Sequence, residues 1–70
     1  MEQTNLSKTV KALRKKYGMT QEELSMKAGL GLRFVRELEQ GKTTLKLDKV
    51  NKLLDFFNYE MIASPKQSEL

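Results

Sequence analysis

The chain contains no cysteine and no histidine. The first absence excludes a disulfide, and the two together remove the usual zinc ligands. They also remove the commonest general base, every thiol nucleophile and any Ser-His or Cys-His pair. Asp, Glu, Lys and Ser remain, so catalysis is disfavoured rather than forbidden. The expectation is a protein that is not an enzyme and uses no metal or cofactor. No apolar run approaches the roughly 18 residues that cross a bilayer. The opening Met1-Glu2-Gln3-Thr4-Asn5 is acidic and polar, unlike a signal peptide. These features predict a cytoplasmic protein with no membrane partner, and in a bacterium one near the nucleoid.

What is present is short and basic. Seventy residues allow one small core, and a core of that size is marginal on its own. With disulfides and zinc excluded, oligomerisation is the remaining common staple, so a dimer is expected. Thirteen Lys and Arg against nine Asp and Glu give a formal charge of +4. That balance fits an anionic partner, nucleic acid first and a membrane surface second, although many small soluble proteins are also basic.

Four helices are legible. Leu6, Val10, Leu13 and Tyr17 recur at helical spacing, which predicts a helix over 5–17 with Asn5 as its cap and Gly18 as its stop. Lys8, Lys11 and Lys15 fall off that stripe and read as a solvated face. Thr20-Gln21-Glu22-Glu23 is a capping box, with both glutamates suited to the positive end of the helix dipole. Leu24 and Ala28 face inward, and Gly29 ends this second helix. A third is predicted over 32–40, with Val35 and Leu38 inward, Phe34 on their flank and Gly41 closing it. Arg33, Arg36, Glu37 and Gln40 share its outer face. After a polar connection that holds Leu45, Leu47, Val50, Leu53, Leu54 and Phe57 predict a fourth helix over 47–57, stopped by Asn58. Residues 59–63 alternate weakly, which fits either a short strand or continued helix. Residues 64–70 hold the only proline and read as a frayed tail. The domain is therefore expected at 5–63, between a flexible start (1–4) and a flexible tail (64–70).

Two short helices joined by a glycine-bearing turn make a helix-turn-helix, whose second helix lies in a DNA major groove while the first crosses the backbone. Such a unit needs small residues at the turn, apolar residues locking the helices and polar residues facing out. Ala28-Gly29, then Leu24, Val35 and Leu38, then Arg33, Arg36, Glu37 and Gln40 supply all three.

The stretch Met19-Thr-Gln-Glu-Glu-Leu-Ser-Met-Lys-Ala-Gly-Leu, followed by Leu38-Glu39-Gln40-Gly41-Lys42, resembles the Cro/phage-repressor (XRE-type) helix-turn-helix family. The likeness runs over 6–58. It departs at Gly31, where many members have a Ser or Thr cap, and at Phe34, where they have a small polar residue. Gly is an acceptable cap. Phe34 would either pack on the fourth helix or touch a thymine methyl. The fold the resemblance implies is an all-α, lambda-repressor-like four-helix bundle.

It also implies roles. Leu32, Arg33 and Glu37 match positions that reach base edges: Arg33 suits a guanine, and Glu37 either accepts from a cytosine or pairs with Arg33 one turn away. Gln21 matches a phosphate contact at a helix N-terminus. Arg36, Gln40, Lys42 and Thr43 match backbone-contacting positions, which fix register without reading sequence. Arg14 and Glu39 match a structural ion pair.

Proteins resembling this one bind double-stranded DNA as dimers, on near-palindromic operators. Phe56, Phe57, Tyr59, Met61 and Ile62 would form the dimer interface, unless they simply finish the monomer core. In HipB-like antitoxins a short strand after the bundle pairs with its twin across the dimer, and residues 58–63 occupy that place. Residues 31–38 also look like repressors encoded beside HipA-like toxin kinases. The resemblance thus implies an autorepressor that restrains a toxin. The other classes weighed are a module that chiefly grips a protein and a nonspecific RNA binder. The latter is disfavoured because Phe and Tyr fall mainly at apolar positions rather than as stacking platforms.

Overall fold

The computed structural model describes residues 4–65. It contains α1 (Asn5–Lys16), α2 (Gln21–Ala28), α3 (Leu32–Gln40) and α4 (Leu47–Phe56), and no strand among the described residues. This is the all-α, four-helix architecture expected. Most of the two ends read as flexible, 1–3 and 66–70, lies outside the described residues. Thr4 does not belong with them. It, and not Asn5, caps α1: its hydroxyl accepts from the Ser7 N–H at 3.0 Å, while the buried Ser7 hydroxyl donates to the Thr4 carbonyl. Two adjacent residues had suitable side chains, and Ser7, three residues after Thr4, selects the earlier one.

The other ends follow their sequence signals. Thr20 and Glu23 form the reciprocal box, each side chain accepting from the other's N–H at 3.1 and 2.8 Å. Gly29 and Gly41 close α2 and α3 at φ 72° and 95°, a region where a side chain at Cβ clashes with the following carbonyl. Asn58, at φ 64°, ends the turn after α4 in the same way, as the non-glycine residue best suited to that region. The helix therefore does not continue through 59–63, and within one chain these residues form no strand either.

Val10, Leu13, Leu24, Ala28, Val35, Leu38, Val50, Leu53, Leu54 and Phe57 form the core, with Leu6, Met19, Leu30, Phe34 and Leu45 packed at its edge. Burying a side chain of this size contributes about 1.5–3 kcal/mol. Two residues of the predicted stripes stay outside: Tyr17 and Leu47 are 60 % and 59 % exposed. Both stand at helix ends, where the stripe has run past the neighbouring helices. Tyr17 stacks on Phe57 with ring centroids 5.9 Å apart. α3 packs against both α1 and α2, and α2 also packs against α4. One side of α3 is thus fixed by two helices and the other is left to solvent.

Candidate nucleic-acid interface

The turn between α2 and α3 is residues 29–31. Gly29 supplies the left-handed step, and the Leu30 N–H donates to the Ser25 carbonyl at 2.9 Å, closing the end of α2. Leu30 tucks its side chain against the core. Lys52 reaches over from α4 and donates to the Gly29 carbonyl at 3.2 Å, placing a cation at the negative end of α2. Nothing in helical spacing predicts this contact, because its partners lie in different elements.

A single buried carboxylate fixes the orientation of the three N-terminal helices. Glu39, at the end of α3, is 4 % exposed. It accepts from Arg14 Nε at 2.7 Å, from Arg14 Nη2 at 3.0 Å and from Gln21 Nε2 at 3.1 Å. Arg14 is in the last turn of α1 and Gln21 in the first turn of α2. The remaining guanidinium nitrogen, Nη1, donates to the Met19 carbonyl at 2.9 Å. The hydrogen bond to Glu39 raises the Arg14 pKa above its ordinary value, so the guanidinium keeps its charge. The Arg14–Glu39 ion pair implied by the resemblance is thus present. The part of Gln21 in it was not foreseen. An amide nitrogen carries two N–H donors, so with one held by Glu39 the second remains for a phosphate.

The solvent side of α3 carries the predicted residues together. Arg33, Arg36 and Gln40 are exposed, and Leu32 and Glu37 are half-buried. Lys42 and Thr43 follow directly in the connection to α4. Phe34, offered either to α4 or to a thymine, packs at the core's edge. Among these residues the charges are paired within the chain. Glu37 Oε2 accepts from Arg33 Nε at 3.3 Å, and its Oε1 accepts from Lys42 Nζ at 3.2 Å. Of the two readings of Glu37, the pair with Arg33 is therefore formed, and Lys42 joins it. The Lys42 contact first, and that with Arg33 after it, hold the Glu37 carboxyl below its usual pKa. On α2, Glu22 lies 4.0 Å from Arg36 Nη2. Glu22 was assigned only to the helix dipole, because its spacing to Arg36 crosses a turn and has no period. Of the α1 lysines read as a solvated face, Lys8 and Lys15 are exposed and Lys11 is half-buried.

The residues expected at a dimer interface divide. Phe57 belongs to the monomer core, because it follows Leu53 and Leu54 on the inner side of α4. Phe56, Tyr59, Met61 and Ile62 are exposed, Ile62 by 74 %. Residues 59–62 flank a groove of about 480 Å³ whose other wall includes Leu6, Thr9 and Leu54.

A family model described as helix-turn-helix matches residues 10–62 of the chain. Over 45 residues the chain is 44 % identical to an uncharacterized HTH-type transcriptional regulator, y4mF, of Sinorhizobium fredii. That match covers 64 % of this chain and 59 % of the relative, so the chain spans less than two thirds of the relative's length.

Proposed function

Because this chain belongs to the Cro/phage-repressor (XRE-type) helix-turn-helix family, we propose that it is a sequence-specific DNA-binding transcriptional repressor acting as a dimer on a near-palindromic operator. The observation that carries this reading is the exposed side of α3. It presents Leu32, Arg33, Arg36 and Gln40 on a helix whose opposite side is locked by Val35, Leu38 and Glu39. A helix of this width fits the major groove. Arg33, with a side chain 91 % exposed, reaches base edges together with Leu32. Gln21, Arg36, Gln40, Lys42 and Thr43 contact the sugar-phosphate backbone and set the register. The N–H groups of the first turn that Thr20 does not cap have no partner within α2, and such a helix N-terminus suits a phosphate.

One such helix covers only a few base pairs. Two of them, about 34–36 Å apart, read a palindrome, and the exposed Phe56, Tyr59, Met61 and Ile62 supply the surface that joins the protomers. Residues 59–63, in neither helix nor strand within one chain, are open to pairing with their twin.

The same apolar surface supports a second reading, in which the chain chiefly neutralises a HipA-like toxin kinase and binds DNA weakly. Binding to the DNA upstream of the chain's own coding sequence, beside a scrambled duplex and at several salt concentrations, tests the first reading. Selective binding with two chains per site is expected. Equal binding to both duplexes, lost as salt rises, is nonspecific attraction alone and overturns it. Co-purification with the product of the neighbouring gene, when the two are expressed together, tests the second.

A further inference from the structure

Glu37 stands between two of the cations assigned to DNA. One carboxylate oxygen is bonded to Arg33 and the other to Lys42. The bond to Arg33 is made through Nε. A guanidinium has five N–H donors, and this contact leaves the four on Nη1 and Nη2. They form the fork that grips guanine O6 and N7. With Nε–H tethered at the side, the fork stays free on a side chain that is 91 % exposed. The same carboxylate carries negative charge into the face that must approach the phosphates, and it offsets the charge of Lys42.

We propose that Glu37 determines specificity by acting through Arg33, holding the Arg33 fork toward a base edge while suppressing its attachment to arbitrary phosphates. The inference rests on the DNA-binding reading above. Its two effects fall on different complexes. On a matching site, Arg33 keeps its tether and bonds guanine, so Glu37 opposes only the Lys42 phosphate contact, which every duplex shares. On arbitrary DNA, Arg33 too has only phosphates to bind, and that contact competes with Glu37. A neutral side chain of the same shape removes the competition and frees Arg33 to swing to the backbone.

Glu37→Gln is the test, with Glu22→Gln as the comparison variant. Glu22 opposes Arg36, a backbone-contacting residue, so its loss is expected to raise affinity for every duplex alike. Exposed pairs of this kind add little to stability, and both variants are expected to melt with the wild type. Binding is measured on the upstream duplex and on the scrambled duplex over a salt series. Glu37→Gln is expected to bind the scrambled duplex about tenfold more tightly, with a salt slope steeper by about one unit. The ratio of upstream to scrambled affinity is expected to fall by most of that factor, while Glu22→Gln keeps the wild-type ratio. If wild type discriminates and Glu37→Gln discriminates equally well, the inference fails and the DNA-binding reading stands. Loss of preference at one C·G pair alone, with scrambled binding unchanged, makes Glu37 a direct base reader and also overturns it. A wild type that prefers neither duplex overturns both.

Discussion

The segment from Thr20 to Lys42 and the segment after Asn58 are built on opposite terms. In the first, the chain supplies its own partners. Thr20 and Glu23 close the start of α2, Gly29 and Gly41 close two helix ends, and Glu39 gathers Arg14 and Gln21 into one buried network. No buried side-chain polar atom among the described residues lacks a hydrogen bond. In the second, Tyr59, Met61 and Ile62 stand exposed, and beyond the Tyr59 N–H, which bonds the Leu54 carbonyl, the backbone enters neither helix nor strand. A reading surface must be rigid before its ligand arrives, since misplaced donors lose the base code. An assembling surface is completed by the partner, and its unpaired groups are what the partner satisfies. The difference supports the proposed division, recognition in one region and assembly in the other, and each can be tested without the other.

The largest break is at Glu39. Glu39→Ala leaves the Arg14 guanidinium, which is nearly covered, without its counter-ion, and removes the acceptor for Gln21. Losing one partner of a buried pair costs about 3–5 kcal/mol. Native stability is about 0.05–0.15 kcal/mol per residue, so in a chain this short the loss consumes much or all of it. A thermal melt followed by circular dichroism is expected to show an unfolded or barely folded protein at 25 °C. A melt equal to wild type would mean that the network does not hold the recognition region.

Next comes Arg33→Ala, which leaves the fold alone because the side chain is almost wholly in solvent. It is expected to lower discrimination between the upstream and scrambled duplexes by about 1–3 kcal/mol, with no change in the melt. An equal loss of affinity on both duplexes would move Arg33 from base reading to backbone contact. Thr20→Ala is smaller again. It deletes the acceptor for the Glu23 N–H while the rest of the box stays in place, and is expected to cost about 1 kcal/mol of stability. The same melt detects it, and a Thr20→Ser variant restores most of the loss.

These two regions also differ in how far the amino-acid sequence discloses them. Helix ends other than the start of α1, where Thr4 and not Asn5 is the cap, were legible from local chemistry: Thr20 with Glu23, and glycine or Asn58 in the left-handed region. The core followed from helical period, failing at Tyr17 and Leu47 because period does not say where a neighbouring helix ends. The outer face of α3 was legible as a face. Its pairings were only half so: Arg33 with Glu37 is one turn apart, but Glu22 with Arg36, Gln21 with Glu39 and Lys52 with Gly29 join different elements. Arg14 with Glu39 came from family resemblance, since no local rule links positions that far apart. Residues 59–63 resisted for another reason. A strand is defined by the backbone beside it, and a single chain's period of two does not state what that neighbour is.

The smallest expected change in stability, and the sharpest separation of the two regions, comes from Ile62→Glu. Ile62 is 74 % exposed, so a carboxylate there meets water and disturbs little of the core. Surface substitutions of this kind stay within about 0.5 kcal/mol, and melts of dilute protein are expected to coincide with wild type. Between protomers the effect differs in kind. If the apolar faces of residues 59–62 meet across a two-fold axis, each protomer brings the introduced carboxylate to the other's apolar surface. A charge buried there without a partner is strongly unfavourable. Sedimentation equilibrium is therefore expected to show wild type associating and the variant monomeric. Affinity for a palindromic duplex should fall steeply while affinity for a half-site is unchanged. A melt lowered by several kcal/mol in dilute protein would instead place residues 59–62 in the monomer core. Unchanged association would move the interface to Phe56 and the rest of α4.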